Sequence, residues 1–250
     1  MTTDLLLSGA MAIAAGLVGC FAVMRRMTLA ADALSHVALP GIGIALALHI
    51  HPIFGAAAML GFGALTVWAL ENQTRLSTET IIGVVFSVAL AAGSLMTSGD
   101  ELVEALFGRS GTLGWTEALL GIAGAVAVSA FIVSQKHRLV VALVSPDIAR
   151  TAGVDPRRLN LFYLQAFALT VALGLRYLGV LLMGSLIIIP AATAKRLSRN
   201  LTEMLLISAV VAFLVTEIGS FVAAWLHRET GPVIVILAGV VFILSLARSR

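Results

Sequence analysis

Residues 201–226 read LTEMLLISAVVAFLVTEIGSFVAAWL, a run in which Glu203 and Glu217 are the only ionisable side chains. As a helix rising 1.5 Å per residue it is longer than the roughly 30 Å hydrocarbon layer of a bilayer. The same kind of run recurs on either side, at 5–24, 33–50, 53–70, 80–97, 115–134, 159–175, 177–194 and 233–246. Most hold about 17 to 25 residues, the length a crossing needs. Backbone groups in lipid must be satisfied within their own segment, and no strand-like alternation is present, so the spans are expected to be helices. Arg176 sits between two runs and leaves eight or nine crossings open.

Composition agrees. Of the 250 residues 60% are hydrophobic and 12% charged, with a mean hydropathy of +1.04. A soluble domain carries about 25% charged residues, so too few polar side chains exist here to cover a water-facing globule. The expected class is all-α, a polytopic integral membrane protein forming one transmembrane domain over residues 1–250. The single cysteine, Cys20, has no intramolecular disulfide partner and lies in an apolar run, which reads as a small buried residue. The first run lacks a basic leading segment and exceeds a cleavable signal in length, so it is expected to remain in the mature protein.

The 16 basic residues set the orientation. With the N-terminus outside and the C-terminus in the cytoplasm, 13 of the 16 fall on the cytoplasmic side, and only Arg109, Arg176 and Arg228 fall outside. The opposite topology inverts this split against the positive-inside rule. The sequence pI of about 9.6 is therefore an orientation signal and calls for no nucleic acid.

Two connections stand out. The outer one, 98–116, holds Asp100, Glu101 and Glu104 and then Leu106-Phe-Gly108, and could carry a short helix dipping back toward the membrane. The inner one, about 136–158, is the longest polar stretch. In it Ser145-Pro146-Asp147 suits a helix start and Gly153 suits its stop. A short helix lying under the membrane would be a docking element for a cytoplasmic partner, and an ordinary connecting loop is the alternative.

Ionisable residues within spans are expensive and mark function by default. Asp32-Ala-Leu-Ser-His36 places a carboxylate and an imidazole four residues apart, on one helix face and one turn from each other. Either group serves zinc, manganese and iron sites, so together they can hold a divalent cation. Pro40 follows His36 at the same interval; its missing N–H frees the His36 carbonyl and kinks the helix. Two side chains are too few for a structural zinc site but suit an ion that must enter and leave. An Asp–His hydrogen bond locking two helices is the structural alternative. Weaker metal candidates are Glu217, which could instead pair with Arg176, and His49 and His51 at the outer end of the second span. Ser35 beside His36 forms no catalytic dyad, because helix neighbours point about 100° apart. A G-x-S-x-G elbow and a phosphate-binding G-x-x-x-x-G-K-[ST] loop are both absent, so the chain is expected to be neither a hydrolase nor its own ATPase.

Asp32-Ala-Leu-Ser-His-Val-Ala-Leu-Pro-Gly41 and Gly179-Val-Leu-Leu-Met-Gly-Ser-Leu-Ile-Ile-Ile-Pro-Ala-Ala-Thr-Ala194 carry a resemblance to a known family. Leu106-Phe-Gly108, Asp147-Ile-Ala-Arg-Thr-Ala-Gly153 and Thr230-Gly-Pro-Val-Ile-Val-Ile236 add weaker matches in the same order. The chain resembles the membrane permeases of bacterial ATP-binding-cassette importers for zinc, manganese and iron(II), whose fold is similar to that of siderophore and cobalamin importers. The resemblance implies a permease homodimer working with two separate ATPase subunits and an extracytoplasmic metal-binding protein in the bacterial cytoplasmic (inner) membrane. It implies no tightly bound cofactor; the divalent ion, zinc first and manganese or iron next, is cargo. Asp32 and His36 match positions lining the outer gate of the metal path, and Asp147, Ala149 and Gly153 match the segment that docks into the ATPase. Ser145 stands where members often have an acidic residue. The competing readings are a permease for a metal chelate such as a siderophore and, less favoured, an intramembrane metalloenzyme. Aromatics at 6% argue against a wide aromatic-lined path, and no third or fourth ligand accompanies the pair in sequence.

Overall fold

The computed structural model describes residues 2–28, 30–50, 52–74, 76–96 and 115–247. These form helices α1 (Thr2–Met24), α2 (Ala30–Ala47), α3 (Pro52–Gln73), α4 (Thr78–Met96), α5 (Trp115–Val144), α6 (Pro146–Thr151), α7 (Pro156–Leu197), α8 (Leu201–Leu226) and α9 (Thr230–Leu246), with no strand among the described residues. The all-helical class expected from the sequence is what the chain adopts.

Local chemistry sets the helix ends. Asn200 accepts from the Glu203 amide at 2.9 Å while Glu203 accepts from the Arg199 amide at 2.8 Å, a reciprocal cap that opens α8. Asp155 takes the Arg157 amide at 2.9 Å ahead of Pro156 and opens α7. His227, at φ 52°, closes α8 in a left-handed cap.

Helix α7 is continuous in its hydrogen bonding yet does not run straight. The Tyr163 hydroxyl donates to the Val18 carbonyl at 3.2 Å, while Ile187 packs its backbone on Gly19, the next residue of α1. On a straight helix Tyr163 and Ile187 would lie roughly 36 Å apart. Gly174 likewise sits against the Met183 side chain, at a spacing that a straight helix would stretch to roughly 13 Å. The chain therefore folds back between Gly174 and Met183, and the two limbs lie antiparallel along α1. The two runs flanking Arg176 are therefore two antiparallel limbs rather than one straight helix. Among the described residues six helices or limbs are long and apolar enough to cross a bilayer, and α2 and α9 are shorter apolar helices packed among them.

One expectation needs correcting. The polar stretch taken as a connection over 136–158 is mostly helix. Between Lys136 and Val144 there is no proline or glycine to stop the ladder, so α5 continues to Val144, and Lys136 reaches the Thr202 hydroxyl at 3.1 Å. The connection proper shrinks to α6 and its two flanks.

Helix α1 forms the centre, with 78% of its span buried against α5, α7 and α8. Small residues let backbones meet there: Gly16 lies on Ser208, whose hydroxyl donates to the Gly16 carbonyl at 2.7 Å, and Gly19 lies on Ile187. Cys20 is fully buried, as expected. The outer faces are apolar instead: Phe62, Val88, Phe221 and Trp225 are all more than half exposed, the pattern of a lipid-facing surface. The C-terminal ends of α1, α3 and α5 and the starts of α4 and α7 gather at one end of the bundle beside α6, called below the α6 end.

Candidate functional site

Helix α2 packs chiefly on α3, α4 and α7. Its approach to α3 is very close: Gly41 meets the Gly55 carbonyl and Gly55 meets the Gly41 carbonyl, so neither position has room for a Cβ. On the other side Gly93 of α4 clears the ring of Pro40, the residue that interrupts the α2 ladder. Proline and glycines together hold α2 tightly between α3 and α4 near its far end and leave its first turns to carry polar groups.

Those first turns hold Asp32, which is exposed, and His36, which is half-buried with its ring 5.6 Å from that of Phe86 on α4. Ser35, fully buried between them, donates its hydroxyl to the Asp32 carbonyl at 2.6 Å and so is turned inward as a structural group. Among the described residues the Asp32 carboxylate and the His36 imidazole make no ion pair or hydrogen bond with each other or with another side chain, so no Asp–His bond locks the helices within one chain. Asp32 lies on Gly184 of the returning limb of α7: a Cβ there would stand 3.7 Å from the Asp32 Cα. The two sequence segments that carried the family resemblance thus meet in space.

Depth follows from the same contacts. Val37 lies on Gly63, halfway along α3, so His36 is near the middle of the bundle and Asp32 one turn toward the α6 end. Gly184 precedes Lys195 by about 11 residues, roughly 16 Å of helix. The pair therefore lies toward the middle of the bundle rather than at the opposite end, where His49 lies exposed at the end of α2. A carboxylate exposed at that depth needs water, a cation or another protein surface.

The remaining candidates are dispersed. Glu217 accepts from the Ser8 hydroxyl at 3.5 Å and lies beside Gly9, at the α1–α8 seam, whereas α8 packs chiefly on α1, α7 and α9. His51, and the outer connection with Asp100, Glu101, Glu104, Leu106–Gly108 and Arg109, lie outside the described residues, as does the side chain of Arg176. Among the described residues no three His, Cys, Asp or Glu side chains converge as a metal cluster. Among the described residues the candidate set at this place is therefore the Asp32 carboxylate and the His36 imidazole.

At the α6 end, the short helix forms where expected. Ser145 caps it, accepting the Ile148 amide at 3.4 Å, Pro146 occupies its first turn, and Gly153 at φ 75° ends it. Asp147 is exposed and paired with Arg150 at 2.8 Å, Ala149 is buried against the bundle, and Ile148 and Val144 are left 61% and 76% exposed. This is a rigid knob with an apolar tip.

Sequence reasoning missed a polar knot next to it. Arg25, counted only as an orientation charge, donates to Asn160, whose amide donates to Glu71 at 2.7 Å, and Glu71 also accepts from Thr78 at 2.7 Å. The Arg25 guanidinium lies 4.5 Å over the Tyr163 ring, and its burial pulls its pKa below the usual value against the opposing pull of Tyr163 and Glu71. Nothing in the sequence separates Arg25 from the exposed Arg26; which of them turns inward depends on the chain reversal at Arg26, φ 60°.

The family model of the ABC 3 transport family matches residues 1–249. A zinc uptake system membrane protein, ZnuB of Haemophilus influenzae, is 29% identical over 91% of this chain and 89% of its own length. A manganese transport system membrane protein, MntC of Listeria innocua, is 27% identical over 96% of this chain and 88% of its own. The fold matches that of a chain of PsaBC from Streptococcus pneumoniae, solved in complex with Fab, with a TM-score of 0.84 over 98% of this chain and 90% of that one, at 24% identity.

Proposed function

The chain belongs to the ABC 3 transport family, and from that membership we propose that it is the membrane permease of an ATP-driven importer of divalent metal ions, zinc first among them, with Asp32 and His36 as ligands of the passing ion. The observation that carries the residue assignment is an unpaired carboxylate and imidazole near mid-depth in a lipid-facing bundle, one exposed and the other half-buried. Hard carboxylate oxygen and imidazole nitrogen suit zinc, manganese and iron(II), and a two-ligand shell releases as readily as it binds. Zinc and manganese are the metals in the names of the relatives above.

The incomplete shell supports a site shared between two copies. A twofold axis beside α2 would bring two Asp32 and two His36 together, four ligands where each chain has two. The basic residues support an orientation with the α6 end in the cytoplasm. In that orientation the α6 knob, with Asp147, Ala149 and Gly153, faces an ATPase subunit that contributes the nucleotide-binding motif this chain lacks. Nucleotide-driven movement of α6 would pass along α7, whose first limb begins just after the knob and whose second limb touches Asp32. An extracytoplasmic binding protein would deliver the ion at the opposite end.

The experiment is metal uptake by the complex reconstituted in vesicles with its ATPase and binding protein. Replacing both Asp32 and His36 by Ala should abolish uptake of zinc-65 while the subunits still co-purify. Uptake at the wild-type rate in that variant refutes the ligand assignment, and competition between zinc and manganese in the wild type decides the cargo.

A further inference from the structure

Beside α6 lies a cavity of about 330 Å³, lined among others by Arg25, Glu71, Thr78, Arg150, Arg157 and Asn160. We propose that it is a phosphoryl-binding site, taking the head-group phosphate of an anionic phospholipid or a free phosphate, a role separate from the metal path. Charge is the first observation. Arg150 shares its charge with Asp147 at the surface, which leaves two guanidinium groups, Arg25 and Arg157, facing one carboxylate. Glu71 accepts from Thr78 at Oε1 and from Asn160 at Oε2 and makes no direct ion pair with either guanidinium among the described residues, so its single charge offsets only one of the two.

The second observation is an unfilled donor. Arg25 spends Nη1 on Asn160, and its buried Nε has no acceptor. A buried donor left without a partner is unfavourable, and the acceptor that best suits a guanidinium fork is a planar or tetrahedral oxyanion. Tyr163 lies under the Arg25 plane and Asn160 fixes one edge, so the group is held in place before any ligand arrives. The side chain of Arg157 has no partner among the described residues and lies at the start of α7, whose backbone carbonyl there is held by the Trp68 indole at 2.9 Å. The third observation is position: the cavity opens at the basic end of a membrane bundle, where arginine pockets between helices meet anionic head groups. Its volume is in the range of small-ligand sites.

The test uses the permease–ATPase complex in nanodiscs made of phosphatidylcholine alone, titrated with inorganic phosphate at constant ionic strength against chloride. A free-phosphate site gives a saturable rise in the thermal midpoint. A head-group site gives no such rise, but one phosphatidylglycerol per permease chain survives into native mass spectra when that lipid is supplied. In either case Arg157→Gln, an exposed position that leaves folding intact, should weaken binding by at least about tenfold, and Arg25→Lys should do the same through loss of the fork. Absence of both the phosphate effect and the retained lipid overturns the proposal. So does binding that Arg157→Gln leaves unchanged.

Discussion

Asp32 rests on Gly184: the α-carbon of the carboxylate residue stands 3.7 Å from where a side chain on the glycine would begin. That spacing is an ordinary van der Waals contact, so one methyl fits and a branched side chain does not. Gly184→Ala should keep near-normal uptake, whereas Gly184→Leu should push α2 away or cover the carboxylate and lower uptake at least about tenfold. Equal uptake by Ala and Leu variants, measured with the reconstituted complex, would remove Gly184 from the site.

The Gly41–Gly55 crossing predicts a stability effect. Each position faces the other's carbonyl with no room for a Cβ, so Gly41→Ala or Gly55→Ala should destabilise by about 1–3 kcal/mol through forced separation of α2 and α3. Thermal unfolding in detergent reads this, with Gly83→Ala, inside α4 with nothing within 4 Å, as the control that loses no stability.

The fold-back in α7 is open to a direct chemical check. In a Cys20→Ala background, Gly174→Cys with Met183→Cys should form a disulfide on mild oxidation, seen as a loss of two mass units in the joined peptide. A straight α7 would hold these residues roughly 13 Å apart, beyond the reach of a disulfide. Failure to oxidise would argue against the reversal.

Ser145 and Gly153 bracket α6, and their replacement should loosen the knob without touching the membrane helices. Ser145→Ala removes the cap on the Ile148 amide, and Gly153→Ala strains a φ of 75°; each should cost about 1 kcal/mol of local stability. The measurable outcome is reduced ATPase activity of the complex with an unchanged thermal midpoint for the permease alone. A fall in that midpoint equal to the core variants would place α6 in the folding core instead.

The membrane class, the spans and the Asp32–His36 pair were readable because each rests on local sequence. A run of apolar residues is a helix in lipid wherever it occurs, a spacing of four sets one face, and Ser-Pro with a following Gly brackets a short helix by backbone chemistry alone. Other features depend on which residues meet across the bundle. Arg25 and Arg26 are chemically identical, and only the turn between α1 and α2 turns one toward Tyr163 and Asn160. Glu71, at the end of α3, meets its partners Thr78 and Asn160 only through the packing of α3 on α4 and α7. The reversal within 174–183 left only Arg176 as its mark in the hydropathy, which does not by itself tell a fold-back from a straight helix carrying one charge. That Asp32 meets Gly184, residues 152 positions apart in the sequence, was decided by the packing of α7 against α1 and α2, because short-range forces fix helices while only close contact fixes their neighbours.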